Sequence, residues 1–286
     1  MKPETEKTFK VAVLLCLVCS VVVSSLSVGL KDIQDRQKEA FKQQSVLDAA
    51  RLWEEGNNPG EEFQRRMEAM GIDFEDDKLE KLDLKNAKFD TDKALRDSSL
   101  HDVLDPADDV AGIKKVEKFA VFYKVKEEDS SAVDNDVSDQ PEVIKLVLPI
   151  RGRGLWSTLY GFIALEVGVD QGPKAINVIG LTYYKHGETP GLGGEVENQI
   201  WKNYWPGKKV FDGNWNVKVA VTKATNVPEK FKVDALSGAT LTSNGVTNML
   251  KFWLGEQGFG PYLRSIAGDK SEAATKDVAL SEQVTN

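Results

Sequence analysis

Asp234-Ala-Leu-Ser-Gly-Ala-Thr240-Leu-Thr-Ser243 sets four hydroxyl residues, Ser237, Thr240, Thr242 and Ser243, directly ahead of an amphipathic pattern. Val246, Met249, Leu250, Trp253 and Leu254 fall on one helical face. Thr242 or Ser243 reads as the N-cap and Gly255 as the stop. The start of such a helix offers unpaired N–H groups and the positive end of a dipole to an anion near Thr240, and a phosphate suits both. The same letters also describe an ordinary capped turn, so the meaning of the stretch depends on what the rest of the chain brings to it.

Two further segments bear on it. Tyr183-Tyr-Lys-His-Gly-Glu-Thr-Pro-Gly-Leu-Gly-Gly194 is glycine-rich and follows a strand pattern. Its backbone can approach a ligand closely, with Glu188 and Thr189 as hydrogen-bonding groups, or it is simply a Pro-Gly turn. Gly191-x-Gly193 lacks the third glycine of a dinucleotide fingerprint, and no phosphate-binding P-loop motif is present. Gly152-Arg-Gly-Leu-Trp-Ser-Thr-Leu-Tyr-Gly161 is the other segment. Trp156 suits stacking on a flat ring, and Ser157 and Thr158 are phosphate donors in the same reading; otherwise this is a strand start with a core tryptophan.

Taken together, Asp-x-x-Ser-Gly-Ala-Thr, His-x-Glu-Thr-Pro-Gly-Leu-Gly and Gly-Leu-Trp-Ser-x-x-Tyr-Gly resemble the covalent FMN-binding domain family. Within it they resemble the C subunits of sodium-translocating NADH:quinone oxidoreductases. The likeness covers the apolar N-terminal stretch and nearly all of residues 140–265. It implies FMN esterified through its phosphate to Thr240, with Ser237, Gly238, Ala239, Thr242, Trp156, Ser157, Thr158, Glu188, Thr189, Gly191 and Leu192 around it. Lys223, shortly before the motif, is a candidate neighbour of the phosphate or flavin, or a solvated lysine. The resemblance further implies an electron-carrying subunit with no catalytic residues of its own. A flavin transferase attaches its cofactor, and membrane, flavin and iron–sulfur subunits of the same complex are its partners. The equivalent flavin subunit of an Rnf-type complex and a non-redox exported ligand-binding or sensor module are the alternatives.

Val11 to Leu30 carries no charge and is flanked by Lys10 and Lys31. About 20 apolar residues suffice to cross a bilayer as one helix. A cleaved signal peptide competes, but the run is long for one and only Ser25-Leu-Ser27 resembles a cleavage site. The flanking charges do not fix orientation. A short N-terminal tail and a large C-terminal domain favour a cytoplasmic N-terminus, and the resemblance implies a periplasmic domain on the inner membrane. Cys16 and Cys19 both lie inside the span, which leaves the exported part cysteine-free. A net charge of −8 without a basic cluster argues against nucleic acid as a partner. Two histidines, His101 and His186, do not make a metal site or a hydrolytic triad.

The expected organisation is a tail at 1–10, a transmembrane helix at 11–30, juxtamembrane helices and an irregular region at 31–115, an FMN-binding domain at 116–267 and a polar tail at 268–286. In detail, 31–54 reads as a helix with Phe41, Val46, Ala49, Ala50 and Trp53 inward. Gly56-Asn-Asn-Pro-Gly60 breaks it, and Glu61 to Met70 reads as a short helix closed by Gly71. Strands are expected at 116–125, 144–150, 160–167, 176–184 and 217–221, and a last helix at 244–254. The acidic loop 127–142 contains Asp134-x-Asp136-x-Ser138 but lacks the glycine and the closing glutamate of a calcium loop. The fold class is α+β: an antiparallel sheet with flanking helices following one membrane anchor.

Overall fold

A computed structural model describes residues 3–76, 78–84, 90–126 and 142–268. The expectations for the acidic loop 127–142 and the tail 268–286 lie almost wholly outside these residues. The chain divides into two units, residues 1–43 and 44–286. The first holds α1 (Pro3–Gly29) and most of α2 (Lys31–Ala49). Within α1, Lys7–Gly29 is a 23-residue apolar stretch, long enough to cross a membrane, and none of it is buried in protein.

In the second unit α3 (Pro59–Arg66) leads into β1 (Met67–Asp73) and β2 (Lys78–Leu82). Asn58 caps α3 by accepting from the Gly60 and Glu61 N–H groups, and Pro59 sits where its missing N–H leaves nothing unpaired. α4 (Thr91–Ala94), β3 (His101–Val103) and β4 (Lys115–Glu117) are short. Then come β5 (Phe119–Val125), β6 (Val143–Arg153), β7 (Thr158–Gly168) and β8 (Ile176–Lys185). α5 (Gln199–Lys202), β9 (Ala220–Thr222), β10 (Lys232–Asp234), α6 (Thr240–Trp253) and α7 (Gly260–Ala267) complete the chain.

The main sheet has six strands in the order β2-β1-β5-β6-β7-β8, every neighbouring pair antiparallel. Side chains on a strand alternate between faces, and here both faces are covered. Phe122, Leu146, Leu148, Ile150, Ile163, Leu165 and Val167 pack with α6 and α7. Val121, Tyr123, Val147, Phe162 and Ala164 pack on the other side with Val46, Leu47, Ala49 and Phe63. That two-sided burial is why Leu146-Val-Leu148 and Phe162-Ile-Ala-Leu165 read as continuous apolar runs, without the polar alternation of a half-exposed strand.

Four local expectations are corrected. The helix expected over 61–70 stops at Arg66, because Met67–Asp73 pairs residue by residue with β5, Met67 opposite Val125 and Asp73 opposite Phe119. Phe63, Met67 and Met70 fit a helical period, but Met67 and Ala69 on one face and Ile72 on the other fit a strand, and sheet pairing decides. The helix from Lys31 ends at Ala49, with Arg51 in the left-handed region at φ 57°. Val46, Ala49 and Ala50 are buried as expected, whereas Phe41 is exposed and Trp53 half-buried. The strand expected at 217–221 is reduced to Ala220–Thr222, which runs parallel to Lys232–Asp234 in a separate pair. The strand expected at 116–125 breaks at Lys118, and its first part pairs with His101–Val103. The main sheet thus takes β1 and β2 from the 31–115 region.

α6 begins at Thr240, four residues earlier than its apolar pattern indicates, and Val246, Met249, Leu250, Trp253 and Leu254 are all buried. Trp253 fixes the helix to the sheet. Its indole N–H donates to the Arg151 carbonyl at 2.7 Å, and the Arg151 guanidinium lies 5.7 Å above its ring. Arg151 in turn forms a buried ion pair with Glu117 at 2.5 Å.

Candidate flavin site

Three loops meet at the N-terminal end of α6, and each carries one of the three sequence motifs. Thr240 is the first helical residue and is exposed. The cap position is Ala239, which supplies no side-chain hydrogen bond, so the expectation that Thr242 or Ser243 caps the helix is corrected. Ser243 N–H is the first to bond back, to the Ala239 carbonyl at 3.0 Å. The N–H groups ahead of it have no helical acceptor, and the positive end of the dipole is left open toward solvent.

The four hydroxyls divide sharply. Thr242 and Ser243 are each 1% exposed, whereas Ser237 and Thr240 are on the surface. Thr242 Oγ1 donates to Glu188 Oε2 at 2.7 Å. Ser243 Oγ donates to the Ala239 carbonyl and accepts from Leu236 N–H, which holds the 236–239 turn beneath Thr240. Gly238 takes φ 71°, and a Cβ there would lie 2.9 Å from Leu192 Cδ2. The turn therefore needs glycine both for its backbone angle and for the approach of the 187–194 loop.

Glu188 links the three segments. It accepts from Leu155 N–H at 3.1 Å, Trp156 N–H at 2.9 Å, Ser157 N–H at 3.1 Å and the Thr242 hydroxyl. A Cβ on Gly193 would sit 2.7 Å from both Glu188 Oε2 and Thr242 Oγ1, so that glycine makes room for the contact. Sequence reading puts Glu188 against a ligand's ribityl chain or ring edge, but all its hydrogen bonds are made to the protein and it is 5% exposed. Burial by itself raises its pKa; the Thr242 hydroxyl and the three amides outweigh that, and the net shift is downward.

This shift has a sign that can be checked. The folded form binds the proton less readily than the unfolded chain, so the stabilisation is complete above the ordinary glutamate range and is lost as pH falls through the lowered value. Acid unfolding of the wild type is expected to contain a component that Glu188→Gln lacks. Superimposable stability–pH curves for the two proteins would contradict it.

The remaining residues fall around this link. Ser157 Oγ accepts from Gly187 N–H at 2.7 Å, and Thr158 starts β7 opposite Arg153. Trp156 is 66% exposed, its backbone held by Glu188 and its ring turned to the surface. Thr189 is exposed, and its carbonyl accepts from Leu192 and Gly194 N–H. Gly191, at φ 76°, and Leu192 are exposed on the same loop. Lys223 is exposed just after β9, whose last residue Thr222 pairs with Asp234. His186 Nδ1 accepts from Glu188 N–H, which supports the loop from behind. Ser243 and Gly193 shape the site beyond the residues expected there. Gly193 closes the His-x-Glu-Thr-Pro-Gly-Leu-Gly motif and Ser243 the opening stretch, but nothing in the letters gives either a supporting role.

Leu155, Trp156, Leu192 and Leu241 leave 42–66% of their surface exposed, a concentration of large apolar groups on the loops around Thr240. Flat, partly apolar cofactors suit such a surface. The clefts lined by Asp48, Arg51 and Lys202 and by Arg66, Lys124 and Lys145 share no residue with it. An unblocked hydroxyl on a helix N-terminus, an open dipole, an exposed indole and a glycine-lined loop fit a phosphate-bearing aromatic group.

The fold and the site define an FMN-binding domain that follows a single apolar helix, and the model of the FMN-binding domain family matches residues 158–255. The C subunit of the Na(+)-translocating NADH-quinone reductase of Yersinia pestis is 42% identical over 264 residues, covering 91% of this chain and 92% of its own. That of Pseudomonas aeruginosa is 39% identical over 270 residues, covering 92% and 96%. The chain belongs to this family of Na(+)-translocating NADH-quinone reductase C subunits. The crystal structure of Shewanella oneidensis NqrC matches with a TM-score of 0.64 at 29% identity, over 78% of this chain and 94% of that one. The family supports the reductase reading over the Rnf-type alternative.

Proposed function

We propose that this chain carries FMN joined through its phosphate to the Thr240 hydroxyl and presents it, from a membrane anchor, to neighbouring redox subunits. Family membership makes it an electron-transfer subunit of a Na(+)-translocating NADH-quinone reductase complex, working with the other subunits of that complex. The observation that carries the finer reading is the division of the hydroxyls: Thr240 is exposed and opens a 14-residue helix with no side-chain cap, while Thr242 and Ser243 are buried and bonded.

Bound FMN supplies the redox chemistry, and the protein supplies position and surroundings. Thr240 holds the phosphate. The amides of the first turn of α6 and the dipole stabilise its negative charge. Trp156, Leu155, Leu192 and Leu241 offer apolar area to the ring system, and Ser237, Gly238, Ala239, Thr189 and Gly191 form the polar and glycine rim. Ser157 and Thr242 support the site from inside. Lys223 adds a positive charge on the same side as the β9–β10 pair.

A separate flavin transferase makes the ester, and membrane, flavin and iron–sulfur subunits exchange electrons with the domain. The chain crosses the inner membrane once, with the N-terminus in the cytoplasm and the domain in the periplasm. A cofactor carried outside the cytoplasmic membrane gains from being covalent, because dissociation there is loss. Two measurements test the reading. Intact mass and in-gel fluorescence of the denatured chain, coexpressed with a flavin transferase, are expected to show an FMN-sized increment. Protease added to spheroplasts is expected to degrade the domain, and protection of the domain until the membrane is broken would reverse the orientation.

A further inference from the structure

We infer that Glu188 is the positioning residue of this site: its carboxylate holds the Leu155–Ser157 turn against the first turn of α6, so that the Trp156 ring and the Thr240 hydroxyl are presented to one ligand as a fixed pair. The inference rests on the proposed attachment at Thr240 and adds what sets the geometry around it.

A carboxylate offers about four lone-pair positions. Glu188 has four donors within 3.1 Å, three from the turn and one from α6. It therefore has no acceptor position left for a ligand, and whatever it does to a cofactor it does through Trp156 and α6. Both elements need it. The Trp156 side chain is 66% exposed, so its ring has little packing of its own to fix it, and the turn beneath is tied by its amides. Helix α6 lacks a side-chain cap, and Thr242 is the first-turn residue whose hydroxyl leaves the helix for another loop. The carboxylate lies on a third segment, 31 or more residues from either partner, so the link is made only in the folded domain.

The test uses the full chain in detergent, coexpressed with a flavin transferase, as wild type, Trp156→Phe, Glu188→Gln and the double variant. Gln presents one acceptor oxygen and turns an NH2 toward either Leu155 N–H or the Trp156 and Ser157 pair, so the turn is released with little change in volume. Flavin fluorescence per bound flavin is the reading, because an indole in contact quenches a flavin. Trp156→Phe is expected to brighten the wild type at least threefold. Glu188→Gln is expected to brighten it alone, and adding Trp156→Phe to Glu188→Gln to give less than half the wild-type increase. Additive effects would overturn the inference.

Amide hydrogen exchange gives a second, flavin-independent reading. At residues 155–157 it is expected to speed at least tenfold in Glu188→Gln, with Leu148 and Ile163 unchanged. A uniform rise across the sheet would make Glu188 a merely structural residue. Should Glu188→Gln fail to fold, Thr242→Val cuts the α6 link alone, and it is expected to brighten the flavin while amides 155–157 stay protected. No brightening in Thr242→Val would overturn the link to α6. A wild type without covalent flavin would overturn the Thr240 attachment instead, and the exchange reading would then decide the role of Glu188 by itself.

Discussion

Thr240→Val is expected to lose the covalent FMN increment completely while keeping the fold. Valine has nearly the shape of threonine but no hydroxyl, and the side chain lies on the surface, so the stability change is expected to stay within about 0.5 kcal/mol. The mass increment and the in-gel fluorescence should vanish together, with the denaturation midpoint unmoved. Ser237→Ala is the informative partner, since Ser237 is the other exposed hydroxyl of the motif. It is expected to keep the increment. Retention in Thr240→Val with loss in Ser237→Ala would move the ester to Ser237, and retention in both would place the flavin on neither hydroxyl and end the Thr240 reading.

Trp253→Ala is expected to destabilise the domain by about 3–5 kcal/mol, a large part of the 5–15 kcal/mol typical of a folded domain. Trp253 is 1% exposed, and it touches Phe252 and Phe259 at ring separations of 5.3 and 6.0 Å. Its removal opens a cavity between α6 and β6 and leaves the Arg151 carbonyl without its donor. Trp253→Phe separates the two effects. It keeps most of the apolar contact and loses only the hydrogen bond, for about 1–3 kcal/mol. Urea unfolding of the detergent-solubilised chain measures both. A loss below about 1 kcal/mol for the alanine variant would mean that α6 is held by the rest of its apolar face.

The parts of the fold that could be read from sequence are those whose burial pattern is local. β6, β7 and β8 were legible as apolar runs, and the inward face of α6 was legible from spacing alone. The apolar helix that contains residues 11–29 was legible because a continuous uncharged stretch of that length reads as one helix. β1 was not, because Met67, Ala69, Met70 and Ile72 satisfy two periods at once, and the choice is made by β5, some 50 residues further on. The site was legible as three motifs, and the structure brings all three together. What the letters did not carry is the direction in which each polar side chain turns. Thr242 and Thr240 differ by two positions, yet one bonds inward to Glu188 and the other faces solvent. Glu188 looks like a ligand contact in a glycine-rich loop; only the spatial approach of residues 155–157 makes it an internal acceptor.

The placement of β1 inside the main sheet governs how this protein can be cut. Composition suggests a trim near Val116, where the charged, uneven stretch gives way to strands. Such a fragment would expose the ladder edge of β5, which β1 covers over seven residue pairs from Met67–Val125 to Asp73–Phe119. It would also bare Val121, Tyr123, Val147 and Phe162 by removing Val46, Leu47, Phe63 and Met67. An uncovered edge beside an uncovered apolar face is a recipe for aggregation. A version freed of the apolar N-terminal helix should instead start near Gln44, so that the last turns before Ala49 travel with the sheet they shield.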